Sequence, residues 1–202
     1  MLKTYIQIFK YSDKGLIYKS RKKLSRSFIK AFMGLLYGRF SGENIGSTFV
    51  TVEGSVASNQ GTSYSFYSAG ASDSLTDLTY TYTQARRQVG IHLGTGTAAV
   101  QLIDRAMAIE IAKGTGTGEL EYLGTTGTET VVSAPNASFT LEAYFRNGSG
   151  GSIDINEMGV YSSSQYSSVS WRFCIIRDLV SPAVTIADSE YLKVVYTFTI
   201  TA

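Results

Sequence analysis

The spacing of apolar residues along this chain changes period twice. KTYIQIFK (3–10) runs as a strand, SDKG (12–15) makes a turn, and LIYKSRKK (16–23) returns as the second arm of a hairpin. SRSFIKAFMGLLYGRFSG (25–42) then takes a helical spacing. Phe28, Ile29, Phe32, Met33, Leu35, Leu36 and Phe40 recur at the i, i+3/i+4, i+7 positions of one face. Ser25 or Ser27 is placed to cap its start and Gly38 or Gly42 to end it.

From about residue 47 the period is two. YLKVVYTFTIT (191–201) sets Leu192, Val194, Tyr196, Phe198 and Ile200 against Lys193, Thr197 and Thr199. ASFTLEAYF (137–145) puts Phe139, Leu141, Ala143 and Phe145 on one face, and VSWRFCIIR (169–177) does the same with Val169, Trp171, Phe173 and Ile175. TDLTYTYTQ (76–84) sets Leu78, Tyr80 and Tyr82 against threonines. One apolar and one polar face per strand predicts antiparallel sheets packed on a single side. RNGSGGS (146–152), SAPNAS (133–138) and GTTGT (124–128) supply turns. The predicted fold is mainly β: an antiparallel, jelly-roll-like β-sandwich preceded by a β-hairpin and one amphipathic helix.

Charge divides the chain. Residues 1–40 hold ten Lys or Arg against one acid, Asp13, whereas the remainder holds eight bases and fifteen acids. This split predicts a basic hairpin-plus-helix arm at 1–42, serving anchorage or assembly, on a mildly acidic sandwich body at 43–202. The densest basic cluster, KSRKKLSR (19–26), contains Lys22, Lys23 and Arg26. It could meet nucleic-acid phosphates. It lacks interleaved stacking aromatics, so a solvated face or an acidic protein partner is the favoured reading. The helix behind it needs cover for Phe28, Phe32, Leu35 and Leu36, either from its own body or from a neighbouring subunit. The predicted assembly interface is therefore Lys22, Lys23, Arg26, Phe28, Phe32, Leu35 and Leu36, in a homo-oligomer or against other subunits.

Composition narrows the chemistry. Charged residues make up only 17% of the chain, which is rich in glycine and tyrosine, as strands and turns require. Cys174 is the only cysteine, so no intrachain disulfide forms and a reducing cytoplasm is the expected site of synthesis. No apolar run approaches the ~20 residues of a spanning helix, and no membrane partner is expected.

GTGTAA (94–99) and KGTGTG (113–118) raise a nucleotide site. AAVQLIDRAMAIEIA (98–112) would make a helix apolar on nearly every side, no Gly-Lys-Ser/Thr follows, and downstream strands alternate. Gly94, Gly96, Gly114, Gly116 and Gly118 are read instead as turns, bulges and close backbone approaches.

His92 is the sole histidine, which leaves little for a catalytic triad or a zinc site. Asp154 with Glu157, and Asp178 with Asp188, are local carboxylate groups. A structural ion pair of Glu157 with Arg177 is favoured over calcium or glycosidase chemistry. Tyr64, Phe66, Tyr67, Tyr80, Tyr82, Tyr161, Tyr166 and Trp171 could form a sugar platform, but fit core or interface better. No enzyme activity, cofactor or metal is expected.

GIHLGTGTAAVQLID (90–104), FTLEAYFRNGSGGSIDINEMGVY (139–161) and CIIRDLVSPAVTIADSEYLKVVYTFTI (174–200) together resemble a module of structural proteins of tailed bacteriophages. The shared pattern runs Gly-Thr-Gly-Thr, a strand ending in Asn with a Ser/Gly turn, Ile-x-Glu-x-Gly-x-Tyr, Arg-Asp and a final alternating strand. The resemblance implies a virion component made in the host cytoplasm: a capsid decoration, head fibre, collar or tail-associated protein in contact with capsid, portal or tail subunits. It also implies that Gly94, Gly96, Glu157, Gly159, Arg177 and Asp178 are framework residues. A module binding a host glycan or receptor is the alternative.

Overall fold

Alternating side chains organise two antiparallel sheets that close on one apolar core. The computed structural model describes residues 1–25, 27–34, 51–52, 80–81, 89–166 and 169–202. Among them lie β1 (Leu2–Ser12), β2 (Gly15–Lys19), β3 (Lys23–Ser25), β4 (Tyr80–Thr81), β5 (Gly90–Gly94) and β6 (Glu121–Gly127). β7 (Val131–Ser133), β8 (Asn136–Arg146), β9 (Ile153–Tyr166), β10 (Val169–Ile186) and β11 (Tyr191–Thr201) complete the set. The large sheet runs β2-β1-β11-β8-β6-β4, with β3 also on β1 and β7 also on β8; the small sheet runs β10-β9-β5.

The inner faces follow the period-two pattern where the large sheet is concerned. Leu192, Val194, Tyr196 and Phe198 of β11 pack beside Leu141, Ala143 and Phe145 of β8. They meet Ile91, Leu93, Val160, Phe173 and Ile176 of the small sheet. Ile200, expected on this face, is 57% exposed because β11 runs past the end of the core.

Two expectations are corrected. The first is the detached arm. β1 pairs with β11 from Leu2↔Ile200 to Tyr11↔Tyr191 and buries Ile6 and Ile8 in the common core. Residues 27–34 are equally integrated: the Ile29 N–H bonds the Ile175 carbonyl and Ile29 is buried. The first 34 residues are thus body, so far as they are described. Residues 30–34 are helical, but Ser25 lies in β3 rather than capping a helix, and the expected helix beyond residue 34 lies outside the described residues.

The second correction concerns the small sheet, which is buried on both faces. Every residue of β5 is buried, as is each of residues 173–178 in β10. Its outer face is covered by residues 27–34 and by an irregular crossing at 95–111, which places Met107 and Ile29 against Tyr161 and Cys174. No helix follows β5, so the strand–glycine–helix arrangement of a dinucleotide site is not formed.

Candidate functional site

On the outer face of the small sheet, His92, Gly159 and Arg177 form one cross-strand row, with Gly94 and Glu157 paired beside it. A register shift between Cys174 and Ile176 turns Arg177 outward and Asp178 inward. Arg177 donates through Nε to Glu157 at 2.8 Å and through Nη1 to Asp104 at 2.6 Å. Its Nη2 reaches the Ala98 carbonyl at 2.8 Å. The Glu157 carboxylate also accepts the N–H groups of Ala108 at 3.0 Å and Ile109 at 2.7 Å. Both charged groups are buried, and every contact is internal. The pair acts as a staple for 95–111, a segment with few backbone partners of its own.

The staple explains two glycines by close approach. A Cβ on Gly94 would stand 2.5 Å from the Ile109 carbonyl oxygen, and one on Gly96 would overlap the Glu157 carboxylate. Gly159 opens the space into which Met107 descends, leaving a would-be Cβ 3.2 Å from Met107 Cγ.

His92 lies deeper. Its Nδ1 is 2.6 Å from Glu110 Oε1, and its ring packs against Tyr122 and Tyr161. Complete burial pushes its pKa down to about 4 despite the Glu110 bond, so at neutral pH an uncharged ring donates Nδ1–H to the carboxylate. Burial pushes the Cys174 thiol up and keeps it protonated, which removes its nucleophilicity. Tyr161, weighed as a sugar contact, is fully buried and accepts the Met107 N–H at 2.9 Å. Tyr64, Phe66, Tyr67 and Tyr82 lie outside the described residues.

Asp178 faces inward. It accepts from Ser25 Oγ at 2.8 Å and from Tyr196 Oη at 3.2 Å, which ties β3 and β11 to β10. Burial raises its pKa against the pull of the Ser27, Ser25 and Tyr196 hydroxyls. The suggested acid pairs have separate partners: Asp154 bonds Thr185, and Asp188 bonds the Gly150 N–H. Among the described residues no three His, Cys, Asp or Glu side chains gather to hold a metal ion, and no helix is long and apolar enough to cross a membrane.

No family model, curated protein or solved structure matches this chain.

The expected interface residues divide. Phe28 and Phe32 pack on each other, with ring centroids 4.2 Å apart, and on the chain's own core; Phe28 also lies 6.4 Å from Phe198. Lys22 and Lys23 stay exposed. Lys22 lies over the Tyr5 ring, and Lys23 Nζ reaches the Ser181 carbonyl at 2.5 Å. Arg26, Leu35 and Leu36 lie outside the described residues.

Sequence reasoning missed the cleft that Lys23 lines. β2 and β3 form one wall and residues 179–185 of β10 the other, with Ile17, Tyr18, Leu24, Leu179, Pro182 and Val184 between them. Two signals pointed there: an apolar triplet, Leu-Ile-Tyr, set among lysines, and a proline inside an otherwise continuous strand.

Proposed function

We propose that this chain is a non-enzymatic structural component of a tailed-phage virion, acting through contacts with other virion proteins. The observation that carries the reading is how polar and apolar groups are distributed. Glu157, Arg177, Asp178, His92 and Cys174 are buried and bonded internally, while large apolar side chains stand outside: Ile17 at 50%, Ile103 at 80% and Val132 at 76% exposure. Charge is spent on holding the fold, and exposed apolar surface is what a docking subunit uses. The resemblance over residues 90–200 supplies the phage context, and a capsid decoration, head fibre, collar or tail-associated position all agree with it.

The test is immunogold labelling of purified particles with an antibody against this chain. Gold at a fixed place on intact virions supports the reading. A preparation in which the protein is found only in the free lysate, and never on particles, overturns it.

A further inference from the structure

The sandwich is open along the side bounded by β2, β3 and the 179–185 stretch of β10, and three independent features of that opening agree. First, it is apolar and hollow. One recess of about 90 Å³ is lined by Ile6, Tyr18, Leu24, Leu179 and Val180, and a neighbouring one of about 310 Å³ by Ile17, Tyr18, Pro182 and Val184. Ile17, Tyr18, Leu24 and Leu179 are each between 41% and 50% exposed. Second, β2 is an edge strand whose one strand neighbour among the described residues is β1, and all five of its residues are exposed. An apolar edge of this kind invites another strand.

Third, the rim is basic. Lys14, Lys19, Arg21, Lys22 and Lys23 lie within ten residues that contain no acid, and all five are exposed. Lys23 lines the cleft, while Lys19 and Lys22 lie over the rings of Phe9 and Tyr5, on the outer face of the sheet where the alternate side chains of an added strand would emerge. The ends of the cleft are marked by two lysines that reach across it. Lys23 Nζ bonds the Ser181 carbonyl, and Lys10 Nζ bonds the Thr185 carbonyl at 3.2 Å while pairing with Glu190. Between those carbonyls β10 bulges, its register to β9 shifting between Leu179 and Val184, and the two recesses adjoin there, sharing Tyr18, Pro182 and Val184 as lining. The one carboxylate at the base of the cleft, Asp178, is already bonded to Ser25 and Tyr196.

We infer that this cleft docks an extended segment of a partner protein in which apolar side chains alternate with carboxylates. The segment adds to the free edge of β2, places its apolar side chains in the recesses, and sets its carboxylates against the lysine rim. The same edge of a second copy is the wrong occupant, because residues 14–23 would bring five more bases against these ones. The inference deepens the assembly reading and rests on it only in taking the partner to be a protein.

Selection of twelve-residue peptides from a random display library on the full chain tests the cleft without prior choice of partner. The expected winners alternate apolar and acidic residues. Their binding, followed by fluorescence anisotropy, weakens at least tenfold in Ile17→Asp, and again in Lys19→Glu, whose side chain is exposed and whose fold is checked by its melting transition. Winners that are basic or lack alternation, binding unchanged in both variants, or no enrichment over an unrelated basic protein would each overturn the inference. Labelled virions together with a failed selection would sink the cleft alone; a strong selection with unlabelled virions would sink the virion reading and leave the cleft.

Discussion

Glu157 shows how much depends on single buried charges here. It is fully buried, and its carboxylate serves Arg177, Ala108 and Ile109 together. Glu157→Gln keeps the shape but leaves the buried Arg177 with Asp104 alone as charged partner, and breaking a buried pair costs about 3–5 kcal/mol. Urea unfolding is expected to show a loss of that size, with protease cleavage appearing first inside 95–111. Two other buried groups give opposite pH signatures. His92 has its folded pKa depressed to about 4 from 6.5, so the unfolded chain takes the proton first and stability falls as pH drops from about 6.5 through 4. The full loss is about 3 kcal/mol. His92→Gln should therefore gain on the wild type as the solution is acidified. Asp178 has its folded pKa raised by burial, so the native state keeps the proton longer and stability is lost as pH rises from the unfolded carboxyl value through the folded one. Asp178→Asn should gain on the wild type in that direction instead. Denaturant midpoints across pH 4 to 8 read both trends in one series.

At the scale of elements, β1 decides what the N-terminal part is. It is an inner strand of the large sheet, bonded to β11 on one side and to β2 and β3 on the other. Removing residues 1–42 would take away Ile6, Ile8 and Ile29, each worth about 2 kcal/mol, and would strip Asp178 of its serine partners. That sum rivals the whole margin of a typical domain. The fragment 43–202 is expected to show no cooperative thermal transition, where a separable arm would leave the melt intact. The alternation in β8 and β11 was legible because each strand meets core on one side and solvent on the other. The glycine–threonine run was legible as non-helical for the same kind of local reason. β10 was not. Its phase slips between Cys174 and Ile176, and again between Leu179 and Val184, while a distant segment covers its outer face. Strict parity from Phe173 and Ile175 would turn Arg177 inward and Asp178 outward, the reverse of what is found. The Glu157–Arg177 pair could be guessed from complementary charge, but Asp104, Ala98 and the N–H groups of 108 and 109 could not, since their approach is set by a loop with no periodic signal. The basic segment misled in the same way: charge density marked a surface, but not whether the backbone beneath it belonged to a separate unit.

At the scale of the molecule, charge and apolar surface are placed against each other at one edge. β2 exposes Leu16 at 52%, Ile17 at 50% and Tyr18 at 41%, more apolar surface than an isolated edge strand tolerates without protection. Lysines at both ends of the strand give that protection, because two such edges in register would repel. The same charges that select an acidic partner therefore suppress self-pairing. This has a consequence opposite in sign to ordinary surface mutagenesis. Replacing Lys14, Lys19 and Lys22 together with glutamate should leave the melting transition close to that of the wild type, since none of the three is buried. It should nonetheless raise the molar mass measured by light scattering, as the apolar edges come together against a mixed charge pattern. Adding Ile17→Asp to the triple variant should return the mass to the wild-type value, because a carboxylate would then sit in the seam. A triple variant whose mass stays at that of the wild type at every concentration would mean that the shape of the kinked β2–β3 edge, and not its charge, is what keeps two copies apart.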